Sequence, residues 1–199
     1  MDSARLRVGC CRLLLSGPLS ARTSTRPGII GGSVSQPESK ERAALLSSLG
    51  NQRAHVLGIL EGLPEEALRR PMLPSGWTCL GLVQHLAIDV ERFWFRRVLS
   101  GEADESAETM SDAWQVGSDV PAGAVIDGYR REIERANAII TATPTDAAPA
   151  WWPDFFGDFR LEDLRAIMLH VITETACHAG HLDAARELID GRTWLVLTG

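Results

Sequence analysis

Two side chains near the C-terminus have the types and the spacing of metal ligands. Glu174 and His178 lie four residues apart in the stretch "HVITETACHAGHLDAARELIDG", residues 170 to 191. Side chains at positions i and i+4 project from the same face of an α-helix. Leu164 and Val171 fall on that face as well, so the predicted helix turns a carboxylate and an imidazole toward the protein interior.

A third potential ligand lies on a second predicted helix. His85 stands between Leu82 and Leu86 on the apolar face of "TCLGLVQHLAIDVERFWFRRVLSGE". Burying an unpaired carboxylate costs several kcal/mol. A divalent cation held by two imidazoles and one carboxylate removes that cost and leaves coordination positions open. The spacing leaves a second interpretation open, in which these are core side chains that hydrogen-bond one another.

Three further polar side chains adjoin this group. His170 lies four residues before Glu174 and is either a hydrogen-bond donor to a ligand or an alternative ligand. His181 is less aligned with Glu174 than His178 is. Asp89, one turn after His85, either orients that imidazole, serves as a base or has an ordinary solvated or capping role. The pattern identifies no catalytic residue.

Several familiar sites are excluded. The sequence has no HExxH motif of the zincins, no pair of ExxH motifs of the di-iron bundles and no CxxC pair. It has neither βαβ alternation nor a Gly-rich phosphate loop, which excludes the Rossmann and P-loop classes. The four cysteines form no disulfide framework, so a reducing compartment is expected. Cys177 is expected to be a small buried residue rather than a nucleophile.

Charge is distributed unevenly along the chain, whose formal net charge is −6. Residues 1–37 carry five arginines and one acid, and the remainder carries 15 basic and 25 acidic side chains. An acidic body repels phosphate, so binding to nucleic acid or to an anionic membrane is not expected. No apolar run approaches the roughly 20 residues that span a bilayer.

Composition also divides the chain. Residues 1–37 are rich in Arg, Ser and Gly and predict a disordered basic tail, with a transit-like segment or an incorrectly assigned start as alternatives. From residue 38 to 199, apolar residues recur with helical periodicity. Four long helices are expected, with Thr78 as an N-cap and Gly191 as a terminator. The predicted fold class is therefore all-α, a four-helix up-down bundle with an N-terminal tail.

Two motifs together resemble those of the DinB/YfiT-like four-helix-bundle superfamily. They are "LPSGWTCLGLVQHLAIDVERFWF" and, later in the chain, "ETACHAGHLDAARELIDG". The most similar branch is that of the actinobacterial mini-circle proteins, which are akin to mycothiol-dependent enzymes. The resemblance extends over residues 38–199.

This resemblance implies a divalent metal bound by one residue of the second helix and two of the fourth. Carried over to this chain, the ligands are His85, Glu174 and His178. Glu174 stands where most members of the superfamily have histidine. Zn²⁺ is the expected metal, with Ni²⁺ as the alternative. Three further residues are expected to support the ligands: His181, His170 and Asp89.

The resemblance also implies a thiol-dependent reaction. A thiol bound at an open metal position has a lowered pKa and is a thiolate nucleophile at neutral pH. The implied function is that of a cytoplasmic S-transferase or isomerase that uses mycothiol as its thiol cosubstrate and a small electrophile as its acceptor. A homodimer is the expected assembly. The alternative is a metal-binding or dimeric interaction bundle without enzymatic activity.

Overall fold

The computed structural model describes residues 36–103 and 113–194. Every regular element in these two ranges is helical: α1 (Gln36–Ile59), α2 (Glu65–Arg69), α3 (Cys79–His85), the π-helical segment Leu86–Leu99, α4 (Ala122–Ala142), a 3₁₀ turn (Asp154–Phe156) and α5 (Leu164–Asp190). No helix in these ranges is both long enough and apolar enough to cross a bilayer. The predicted tail falls almost entirely outside the described residues.

The helices begin and end at residues whose chemistry predicts it. Thr78 caps α3, because its hydroxyl oxygen accepts a hydrogen bond of 3.0 Å from the amide of Gly81. Asp163 caps α5 in the same way, by accepting from the amide of Ala166 at 2.8 Å. The last turn of α5 closes on Gly191, whose φ of 78° is left-handed and therefore favours glycine. The sequence predicts both the Thr78 cap and the Gly191 terminator.

The four long helical elements enclose one apolar core, which confirms the predicted all-α four-helix bundle. Helix α1 packs against α5, and the π-helical segment packs against both α4 and α5. Fully buried side chains come from all four of these elements, among them Leu49, Ile59, Phe95, Tyr129, Ile140, Ile167 and Leu182. Each helix therefore buries its apolar face against its neighbours.

Contacting residue pairs give the directions of the helices. Glu41 pairs with Arg165, and His55 with Asp183, so α1 and α5 run parallel. Two other helix pairs are antiparallel, α1 with α4 and α3–π with α5, as shown by the contacts Arg42–Thr143, Arg53–Asn137, His85–His178 and Trp94–His170. The order is therefore up, down, down, up. It differs from strict up-and-down alternation because the second and third long helical elements, the π-helical segment and α4, run in the same direction.

The second long helix changes its hydrogen-bond pattern after His85. The sequence predicts one continuous α-helix here, but Leu86–Leu99 has the i→i+5 pattern of a π-helix. This pattern extends to the end of the segment, where the carbonyl of Phe95 accepts from the amide of Ser100 at 3.2 Å. Side chains around most of the segment are buried. Asp89 is one of them, so the solvated alternative for this residue does not hold.

Candidate metal centre

The His85 imidazole, at the end of α3, is contacted on its edge and on its face. Its Nδ1 lies 2.8 Å from a carboxylate oxygen of Asp89. A carboxylate only accepts hydrogen bonds, so Nδ1 donates in this bond, and the tautomer that the bond favours has its lone pair on Nε2. The indole of Trp114 stacks on the imidazole, with ring centroids 4.2 Å apart and an interplanar angle of 20°. Tautomer and ring plane are both defined by neighbours.

Helix α5 brings His178 and Glu174 to the same place. The rings of His178 and His85 meet edge to face, with centroids 5.1 Å apart. Nε2 of His178 lies 3.5 Å from Oε2 of Glu174, which is longer than an ordinary N–H···O hydrogen bond. This nitrogen is buried, and it has no hydrogen-bond partner within residues 36–103 and 113–194. Buried polar atoms without a partner are rare, so this one requires an explanation.

The other nitrogen of His178 faces a further imidazole. Its Nδ1 is 3.4 Å from Nδ1 of His181, which is partly buried and near the ring of Trp77. Burial lowers the pKa of His181, and the neighbouring His178 lowers it further. Both effects favour the neutral form of His181, whose Nδ1 can accept a hydrogen bond from Nδ1–H of His178. Such a bond would leave the lone pair of His178 on Nε2.

His170 occupies the aromatic side of the site. Its ring meets Trp94 at 4.6 Å and Phe159 at 6.3 Å, both between centroids. Burial lowers the pKa of His170, while the charge of Glu174 raises it. The structure thus gathers His85, Glu174, His178 and His181 in one chain of contacts, and His170 joins it through its electrostatic interaction with Glu174.

These side chains do not yet form a closed cluster. Across the described parts of the chain, no group of three His, Cys, Asp or Glu residues is arranged so that it could hold a metal ion as it stands. The pairwise separations of 3.5 Å and 5.1 Å bring the ligand candidates close without completing a coordination sphere.

Trp114 is a member of the site that the sequence pattern does not single out. Its indole lies on His85 and also meets the ring of His178, with centroids 5.8 Å apart. The residue belongs to the connection between the π-helical segment and α4, where no helical periodicity assigns it a face. Gly81 is the feature of the sequence that could have indicated this contact. It is a glycine within a helix, one turn before His85, and it leaves room for the main chain of Trp114 to pack against α3.

The two described cysteines lie in different environments. Cys177 is exposed on the outside of α5, so the expectation that it is buried is wrong. It is adjacent to His178 in sequence but lies about 100° away around the helix. Cys79 is buried, and burial raises the pKa of its thiol to about 11. Cys79 therefore remains a thiol at neutral pH and has the character of a core residue.

Comparison with known families comes to the same conclusion as the motifs. A family profile described as mycothiol-S-transferase matches residues 44–191, which include every candidate ligand. Comparison with curated proteins and with solved structures gave no match. The profile covers well over half of the chain, and it agrees with the mycothiol-related, DinB-like branch that the two motifs predict. The chain belongs to the mycothiol-S-transferase family.

Proposed function

We propose that this protein is a divalent-metal-dependent mycothiol S-transferase in which His85, Glu174 and His178 are the metal ligands. The observation that carries this proposal is the buried Nε2 of His178, which has no hydrogen-bond partner among the described residues. It lies beside a carboxylate and a second imidazole in an apolar core. A cation shared by these three groups would satisfy the nitrogen and compensate the buried charge.

The separations between the groups support a shared ion. Two atoms bound tetrahedrally to one zinc, each at 2.0–2.1 Å, are about 3.3 Å apart, and two imidazole centroids are then about 5 Å apart. The corresponding distances are 3.5 Å between His178 Nε2 and Glu174 Oε2 and 5.1 Å between the rings of His178 and His85. A mixed nitrogen and oxygen set with an open position is typical of catalytic Zn²⁺, and Ni²⁺ is the alternative.

Neighbouring residues hold the ligands in a binding-competent form. Asp89 keeps the proton of His85 on Nδ1. The lone pair is then on Nε2, which lies on the side of the ring away from the Asp89 carboxylate. His181 has the corresponding role at Nδ1 of His178. A bound metal would supply Lewis acidity, which lowers the pKa of a coordinated thiol. His178 and Asp89 are only 3% and 7% exposed, so these two side chains are largely shielded from bulk water.

The reaction that follows is a transfer of the thiol sulfur. The S–H bond of mycothiol breaks and its proton passes to solvent. The sulfur then forms a bond to an electrophilic carbon, whose leaving group departs with the electron pair. In an isomerisation, the bond between the sulfur and the carbon would break again after the substrate has rearranged, and the thiol would be released unchanged. A reduced thiol substrate agrees with the cytoplasmic location expected from the cysteine usage.

Elemental analysis of the purified protein tests the metal assignment. We expect about one equivalent of metal in the wild type and a loss of most of it in His85→Ala, Glu174→Ala and His178→Ala. His55→Ala is the matched control, because His55 pairs with Asp183 and belongs to no part of the proposed site. A wild type without stoichiometric metal, or ligand variants that retain it, would contradict the assignment.

A conjugation assay tests the reaction. Mycothiol and a chlorinated aromatic acceptor should give a thioether, with turnover abolished by a chelator and restored by Zn²⁺. Turnover that persists in His85→Ala would exclude the proposed centre. A protein that binds metal but gives no turnover with a series of electrophiles would favour the non-catalytic alternative.

A further inference from the structure

The indole of Trp114 covers a face of the proposed ligand His85. We propose that Trp114 is a positioning residue of the metal centre, which holds the His85 imidazole in its binding orientation, and that Gly81 and Gln84 keep it there. This inference rests on the proposed function, since it takes His85 to be a metal ligand. Trp114 lies in the connection between the π-helical segment and α4, which is not part of either sequence motif.

The stack adds a restraint that the hydrogen bond to Asp89 lacks. That bond defines the tautomer of His85 and the position of one ring atom, but a single hydrogen bond does not fix the orientation of the ring plane. The centroids of the indole and the imidazole are 4.2 Å apart and their planes are within 20° of parallel, so the indole restricts rotation of the imidazole plane. Aromatic pairs in this geometry contribute beyond the area they bury. The orientation of Nε2 therefore depends on Asp89 and on Trp114 together.

The main chain of Trp114 is anchored to α3 by two residues. The side-chain amide of Gln84 donates to the carbonyls of Ala113, at 3.0 Å, and Gln115, at 3.1 Å, which bracket Trp114. On the same helix, a Cβ atom built on Gly81 would lie 2.5 Å from the carbonyl oxygen of Trp114. That is too close for any residue but glycine, so Gly81 is what permits the approach. Both anchors belong to the helix that ends in His85.

The chain contains a second constellation of the same kind, which provides a control. His55 stacks on Trp194, with centroids 5.0 Å apart and an interplanar angle of 12°, and its Nε2 lies 2.8 Å from Asp183. Histidine, tryptophan and aspartate thus recur outside the proposed centre. Replacing Trp194 removes a comparable stacking contact, the one with His55, and leaves the environment of the proposed ligands unchanged.

Isothermal titration with Zn²⁺ tests the inference. We expect Trp114→Leu to bind about two- to tenfold more weakly than the wild type, the range that an aromatic pair supports. Trp114→Phe should recover most of the affinity, and Trp194→Leu should bind like the wild type. A folded Trp114→Leu variant with wild-type affinity would overturn the inference and leave the proposed function intact.

Gly81→Ala tests the same point with the indole retained. An added methyl group forces the carbonyl of Trp114 away, so this variant should weaken Zn²⁺ binding as Trp114→Leu does. Unchanged affinity in a folded Gly81→Ala protein would contradict the anchoring role. The variant also keeps the inference testable if Trp114→Leu fails to fold.

A metal-independent readout separates this inference from the proposed function. In the wild-type protein without added metal, the ring protons of His85 should show an upfield ring-current shift in the NMR spectrum, assigned with His85→Gln. Trp114→Leu should abolish that shift, and Trp194→Leu should not. A wild type without the shift would overturn the stack itself. A shifted wild type that binds no Zn²⁺ would overturn the proposed function and the positioning role together.

Discussion

The guanidinium of Arg53 on α1 donates two hydrogen bonds, of 2.7 and 2.6 Å, to the carboxylate of Glu91 in the π-helical segment. Both residues are buried, with exposures of 3% and 0%. A third bond, of 2.8 Å, runs from Arg53 to the side chain of Asn137 on α4. One side chain therefore joins three helices through the interior of the bundle.

Removing one partner of this pair should be strongly destabilising. We expect Glu91→Gln to lower the free energy of unfolding by about 3–5 kcal/mol, because it leaves the guanidinium of Arg53 buried without a counter-charge. The double variant Arg53→Met, Glu91→Leu should recover part of that loss. Urea denaturation measures each value. Asp127→Asn, which breaks an exposed pair with Arg130, is the control and should cost no more than about 1 kcal/mol.

Neutralising Asp89 should weaken metal binding without removing a ligand. Asp89→Asn allows the other tautomer of His85, so we expect a loss of about 10- to 100-fold in Zn²⁺ affinity. Asp183→Asn makes the same chemical change beside His55 and should leave the affinity unaltered. Competition with a chromophoric chelator measures both constants. Equal affinities in the two variants would count against a supporting role for Asp89.

Tyr129 should report unfolding at alkaline pH. It is the single tyrosine of the chain and is fully buried. Burial raises its pKa well above 10, and the nearby charge of Glu91 raises it further. The folded state therefore holds the phenol proton more tightly than the unfolded state. Its contribution to stability is fully present below the unfolded pKa of about 10 and is lost as the pH rises above it.

The measurement is the ultraviolet absorption of tyrosinate during an alkaline titration, followed together with circular dichroism. In denaturant the phenol should titrate near pH 10. In the native protein, tyrosinate should appear only when the helical signal is lost. Ionisation near pH 10 with the helices intact would show that the phenol is accessible.

Much of the helical architecture is predictable from local chemistry. Thr78 and Gly191 have the side-chain and backbone properties of a cap and a terminator, so their roles follow from residue type. The i,i+4 spacing of Glu174 and His178 likewise predicts their common face, because α5 is a regular α-helix through this region.

Features that depend on tertiary contacts are not predictable in this way. The stack of Trp114 on His85 joins a connection to a helix end, and no periodicity links the two. The exposure of Cys177 depends on which side of α5 its neighbours leave open. Parallel packing of α1 and α5 is set by the path of the connections, which the sequence pattern does not specify.

The π-helical segment has a consequence for how sequences of relatives should be aligned. An i→i+5 ladder accommodates more residues per turn than an i→i+4 ladder. A relative with fewer residues between His85 and Leu99 can therefore span the same length by adopting α geometry. Such a deletion would change which side chains face the core, while His85 stays in place. Gaps in this segment should be read as changes of winding rather than as losses of helix length.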